Sequence, residues 1–176
     1  MDPAERRFLA AARRGFLATA DGDGRPAVVP VCFALVADDE APDATPAVVT
    51  PLDEKPKEAP PRELRRARDV AANPRVALVV DRYDEDWAEL AWAQVRGTAA
   101  LVDPGDAGHA AGVAALREKY DQYAAHELAE RPLLRVDPGH VVSWGALDPG
   151  ADGGRPGAGG APTGGSGGDV EREEDL

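Results

Sequence analysis

Short apolar runs separated by Asp, Gly and Pro make up most of this chain, and two periodicities alternate along it. Phe8, Leu9 and Ala12 share one face of a 3.6-residue period. Asp2 ahead of Pro3, with Glu5 in the first turn, reads as the helix start, and Gly15 as its end. Residues 16–20 predict a short strand, followed by a turn over 21–26 that contains Gly22 and Gly24. Residues 27–36 are almost wholly apolar, which predicts a strand buried on both faces. Pro30 inside it calls for a bulge or an edge position. An acidic loop then leads to a strand at 47–50. Residues 61–72 predict a helix with Leu64, Ala67, Val70 and Ala71 on one face, stopped by Asn73-Pro74. Strands follow at 76–83 and 90–102, the second with Gly97 at an expected bulge. Between them lies an acidic loop bounded by Tyr83 and Trp87. After the Asp103-Pro104-Gly105 turn, 107–125 reads as helix with Val113, Leu116 and Tyr120 on one face. The last strand is expected at 133–144, interrupted at 137–140.

About six strands with short connections, two or three helices and no βαβ alternation argue against a parallel doubly wound sheet. The pattern predicts a mainly β fold of the α+β type, a small antiparallel barrel with peripheral helices. Beyond residue 147 the chain is Gly, Pro, Ala and acid with almost nothing to bury. Residues 1–147 are therefore expected to form one domain and 148–176 a disordered tail.

Composition narrows the partners. The net charge is -12, with 32 acidic against 20 basic residues, and Lys55, Lys57 and Lys119 are the only lysines. An acid excess disfavours nucleic acid, whose phosphates need a basic face. It suits a halophilic cell, where strong salt screens self-repulsion. One cysteine, Cys32, excludes an internal disulfide framework and fits a reducing cytoplasm. The N-terminal residues lack the continuous apolar run of a signal peptide. No run approaches the roughly 20 residues of a membrane span.

One stretch stands against the acidic background. Lys55 and Lys57 flank a proline, and Arg62, Arg65 and Arg66 follow, between a strand and a helix start. Such a loop is either a solvated turn or a cradle for an anion, built from Lys and Arg side chains and backbone N–H groups. Other candidate chemistry is thin. No dinucleotide or P-loop glycine motif is present. His109, His126 and His140 are widely spaced and read as surface histidines, so no metal site is expected. Cys32 in its apolar strand reads as a buried structural thiol. Ser143 has no nucleophile context. Asp84 and Asp86 read as an exposed acidic loop.

Taken in order, several blocks resemble the pyridoxamine-phosphate-oxidase-like split β-barrel proteins, and more narrowly their branch that uses the deazaflavin coenzyme F420. The blocks are Phe16 to Ala20, Gly24-Arg25-Pro26, Val28 to Ala34, Lys55-Pro56-Lys57, Leu64-Arg65-Arg66, Asp69-Val70, Asn73 to Val76, Val79 to Trp87, Trp92 and Val95-Arg96-Gly97. The resemblance implies a six-stranded antiparallel split β-barrel that forms a homodimer, with F420, or FMN as the alternative, in clefts between subunits. It implies that Val29, Pro30 and Val31 run beside the ring, that Thr50, Lys55 and Lys57 meet the phosphate or ribityl chain, and that Arg66 is a further phosphate candidate. Trp92 would reach the ring from the partner subunit. The implied activity is hydride transfer to an unsaturated small molecule, with no catalytic side chain required, since the cofactor carries the chemistry. A non-catalytic protein binding deazaflavin or haem on the same barrel is the competing reading.

Overall fold

The first helix begins where local chemistry puts a beginning. In the computed structural model, which describes residues 1–37, 44–52 and 60–148, Asp2 caps α1 (Pro3–Ala11). Its carboxylate accepts the Glu5 N–H, and the Glu5 carboxylate accepts the Asp2 N–H in return, both at 2.8 Å. That box satisfies two of the donors a helix start leaves open. The helix ends at Ala12, ahead of Gly15. Gly15 is instead taken into sheet pairing opposite Val31, as the first residue of β1 (Gly15–Ala20).

Seven strands form one antiparallel sheet in the order β2-β1-β5-β6-β7-β4-β3. They are β1, β2 (Pro26–Val31), β3 (Ala34–Val36), β4 (Ala47–Pro51), β5 (Arg75–Arg82), β6 (Ala91–Val102) and β7 (Leu133–Gly145). The predicted class holds, but the count is seven because the 27–36 run breaks at Cys32 and Phe33 into β2 and β3. These two strands lie at opposite edges of the sheet, yet only two residues join them. The sheet must therefore curl until its edges approach, which makes a barrel split along that seam. The expectation that 27–36 is buried on both faces fails for the same reason. β2 is an edge strand, Val28 is 62% exposed, and Pro30 sits where a missing N–H costs no ladder bond to a second neighbour.

Alternation decides what the long strand buries. Ala91, Ala93 and Val95 of β6 face the core, while Trp92 and Arg96 face outward. The predicted bulge falls between Arg96 and Gly97. A Cβ on Gly97 would overlap the Asp137 carbonyl, so only glycine lets the two strands approach there. β7 is not interrupted at 137–140. The bulge absorbs that segment, with His140 opposite Arg96 and Pro138 opposite Gly97.

The helices close the ends. One turn at Pro61–Glu63 precedes α2 (Arg65–Ala72), with Leu64 extended between them. Ala67, Asp69 and Val70 are buried, whereas Ala71 is exposed, one position round from the packed face. α3 (His109–Lys119) buries Val113 and Leu116 and gives way at Tyr120 to a tighter turn, Asp121–Ala125. Leu9, Leu17, Phe33, Leu78, Val95 and Leu134 belong to the main core. A second cluster under α3 gathers Val49, Leu116, Tyr123 and Leu133.

His109 is not a surface histidine. It is 4% exposed, and its Nε2 lies 2.7 Å from the Arg131 carbonyl. Cys32 is half-buried rather than buried, because it occupies the link between the edge strands. Among the described residues no helix is long and apolar enough to cross a membrane, and no three His, Cys, Asp or Glu side chains gather as a metal would need. Lys55, Lys57 and the tail from 149 lie outside the described residues.

Candidate functional site

The seam of the split barrel opens into a cleft of about 190 Å³. The end of β2 contributes Pro30 and Val31, and the link contributes Cys32. The end of β4 contributes Thr50 and Pro51. Arg14, just before β1, and Arg66, in the first turn of α2, complete the lining. Pro30 and Pro51 carry no N–H, so the donors available here come mainly from side chains.

Each donor is placed by a specific contact. The buried Thr19 hydroxyl donates to Asp69 Oδ2 at 2.8 Å, pinning α2 to β1. Arg65 turns to Asp69, with Nε 3.6 Å from Oδ2. One position on, about 100° round the helix, Arg66 faces β4 and donates from Nη2 to the Pro51 carbonyl at 3.2 Å. Arg62 is engaged elsewhere, by Asp103. Thr50 is only 2% exposed, and its Oγ1 has no hydrogen-bond partner among the described residues. A buried hydroxyl left in that state costs about 1–3 kcal/mol. Arg14 lies with its guanidinium carbon 5.5 Å from the centroid of the Phe16 ring.

A second group of charges stands behind Cys32. Lys119 Nζ lies 4.1 Å over the Phe33 ring and donates to the Leu9 carbonyl at 3.4 Å. Burial, and then the neighbouring Arg13 charge, hold its ammonium down to about 8, opposed by Cys32. Arg13 in turn stacks 4.7 Å over the Tyr120 ring. The Tyr120 phenol is raised, chiefly by burial.

Of the residues expected in a cofactor site, the cleft brings together Pro30, Val31, Thr50 and Arg66. Val29 neighbours them on β2 and packs against the main core. Trp92 lies outside the cleft, on the outer face of β6, where it pairs across the strands with Trp144. Lys55 and Lys57 are beyond the described residues. Arg14 was not foreseen. The signal for it is a pair of arginines directly before a strand, which the helical reading of 2–15 absorbed.

The donor set suits an anion: two guanidinium groups on the lining and one buried hydroxyl with no partner among the described residues. The volume accommodates a phosphoryl group with a short stem. Sites that enclose a drug-sized molecule run to about 300–1,000 Å³, so a tricyclic ring must extend beyond this cleft.

The pyridoxamine 5'-phosphate oxidase family model matches residues 1–145. No curated protein matches the sequence significantly. Solved structures share the fold at low identity. A conserved hypothetical protein of Mycobacterium tuberculosis has TM-score 0.61 and 21% identity over 82% of this chain and 85% of its own. The haem storage protein HutZ of Vibrio cholerae has TM-score 0.57 and 18% identity over 84% and 98%. An F420 reductase has TM-score 0.55 and 23% identity over 81% and 98%. The curled antiparallel sheet, the seam cleft between its edge strands and a match across most of the chain agree, and the chain belongs to the pyridoxamine 5'-phosphate oxidase family.

Proposed function

We propose that this chain is an F420-dependent oxidoreductase, with FMN as the alternative cofactor, acting on an unsaturated small molecule. The observation that carries the reading is the buried Thr50 hydroxyl, which has no partner among the described residues, in a cleft that also holds Arg14 and Arg66. A phosphate oxygen accepting from Thr50 and the guanidinium groups would satisfy that hydroxyl. Lys55 and Lys57, outside the described residues, are the further phosphate contacts that the family resemblance implies. When bound, the cofactor supplies the hydride chemistry. The chain's part is to hold the phosphate end, to align the ring beside the Pro30–Val31 backbone and to keep water out. No side chain is assigned a covalent or acid–base role.

The protein would work as a cytoplasmic homodimer in a salt-rich cell, each cleft completed by Trp92 of the second copy. Haem is the competing ligand, since HutZ shares the fold. Among the described residues of the cleft no histidine is present, and Cys32 is the one lining side chain of a type that ligates haem iron. Fluorescence titration with F420 and with FMN in strong salt tests the reading, followed by turnover of reduced cofactor with unsaturated lactones and quinones. Saturable binding of haem alone, seen by absorbance, would replace it.

A further inference from the structure

Cys32 is the sole cysteine of the chain. It is half-buried, it sits in the two-residue link across the barrel seam, and it lines the cleft together with Arg14 and Arg66. Gln122 Nε2 lies 3.9 Å from its Sγ. An independent observation in the same cleft points to a ligand: Thr50 is 2% exposed, and its Oγ1 has no hydrogen-bond partner among the described residues. Among the described residues the charged side chains that line the cleft, Arg14 and Arg66, are both basic, and charges of one sign in a cleft concentrate small ions of the other.

The geometry points to Cys32 as a thiol-exchange site for small disulfides that carry carboxylate groups, and to the resulting adduct as a reversible block on the anion cleft. In the exchange, the Cys32 sulfur attacks one sulfur of the incoming disulfide and the S–S bond breaks. One half stays on Cys32 as a mixed disulfide. The other leaves as a thiolate and takes up the proton that Cys32 gave up. The Cys32 sulfur is oxidised and the departing sulfur reduced, so no further reagent is needed. With no second cysteine in the chain, the adduct cannot resolve internally and lasts until an external thiol reverses the reaction. Its carboxylates would lie among Arg14, Arg66 and Thr50, in a space of about 190 Å³ that cannot also hold a phosphate. The blocking step rests on the cofactor site proposed above, whereas the exchange step does not.

The test uses the reduced full chain at the lowest salt at which the fold holds, where charges are least screened. The reagents are a dicarboxylate aromatic disulfide, dithiobis-nitrobenzoate, and an uncharged one, dithiodipyridine. Each rate is normalised to that of a free small thiol. The dicarboxylate should react roughly tenfold faster or more. Arg14→Gln should shrink that ratio, and inorganic pyrophosphate should slow the reaction of the parent. Mass spectrometry should place the adduct on Cys32, with none on Cys32→Ser. Equal normalised rates, indifference to pyrophosphate, or release only in denaturant overturns the exchange site. Adducted protein that binds F420 or FMN as tightly as reduced protein overturns the block. A chain that exchanges as stated but binds neither cofactor keeps the thiol site and removes the cofactor reading.

Discussion

Tyr120 ties the end of α3 to Phe33 at the seam of the barrel. Its hydroxyl accepts the Phe33 N–H at 3.0 Å, and its single proton is shared between the Phe33 carbonyl at 2.9 Å and the Arg13 carbonyl at 3.0 Å. One side chain thereby satisfies both backbone groups of a residue that crosses between two edge strands, where no ladder neighbour could do so. Tyr120→Phe keeps the ring and leaves those buried groups unpaired. It should cost about 1–3 kcal/mol, read as a lower denaturant midpoint with an unchanged slope.

Thr50→Val separates stability from binding. The swap removes a buried hydroxyl that has no partner among the described residues, so the cofactor-free chain should melt at the same temperature or slightly higher. Cofactor affinity should fall about ten- to hundredfold, the worth of roughly 1.5–3 kcal/mol for a hydrogen bond to a charged group. Arg66→Gln should weaken binding by a similar factor. A Thr50→Val protein that melts lower and binds as well as the parent would show that the hydroxyl serves the fold.

Gly97→Ala tests the bulge. The added methyl meets the Asp137 carbonyl, a backbone atom that cannot rotate away. Loss of the β6–β7 register should cost about 2 kcal/mol or more, seen by thermal melting. Gly139→Ala, whose added Cβ stands 3.8 Å from the Arg96 carbonyl oxygen, is the control and should be mild.

Lys119 sets a pH dependence with a definite sign. Its ammonium titrates at about 8 in the fold against 10.5 for the free side chain. Between those values the unfolded chain holds more protons, so stability rises with pH through that window. Below about 8 both states are charged and the burial penalty is fully present. Compared with Lys119→Met, the parent should therefore gain stability from about pH 8 to about pH 10. A difference between the two proteins that does not change over this range would contradict the shift.

Trp92 and Trp144 face each other across β6 and β7 and are 36% and 55% exposed, beside Trp87 at 79%. The two-fold dimer proposed above would cover this outer face. Light scattering in strong salt should give twice the chain mass. Trp92→Asp would place a charge at that proposed dimer interface, costing several kcal/mol, and should lower dimer population and cofactor affinity together. A monomeric parent that binds cofactor tightly would remove the shared-cleft arrangement.

Much of the fold could be read before any coordinates. The Asp2–Glu5 start, the turn at 21–26 and the stop at Asn73-Pro74 depend on neighbours in sequence, whose chemistry is local. Period-two alternation along a strand sets Trp92 on the face opposite Ala91 and Ala93. The ordered blocks pointed to the family, and Pro30, Val31, Thr50 and Arg66 do share one cleft. What the sequence could not decide is which side chains meet across the seam. Arg65 and Arg66 are neighbours of identical chemistry. The Asp69–Thr19 bond, spanning fifty positions, holds α2 on the sheet, with Arg65 turned to Asp69 and Arg66 to the end of β4. Arg14 and Cys32 looked like a helix end and a buried thiol because nothing near them in sequence says otherwise. They become lining residues when the sheet curls and two edge strands, joined by two residues, bring their ends together. That closure depends on long-range pairing, which has no short-range signature.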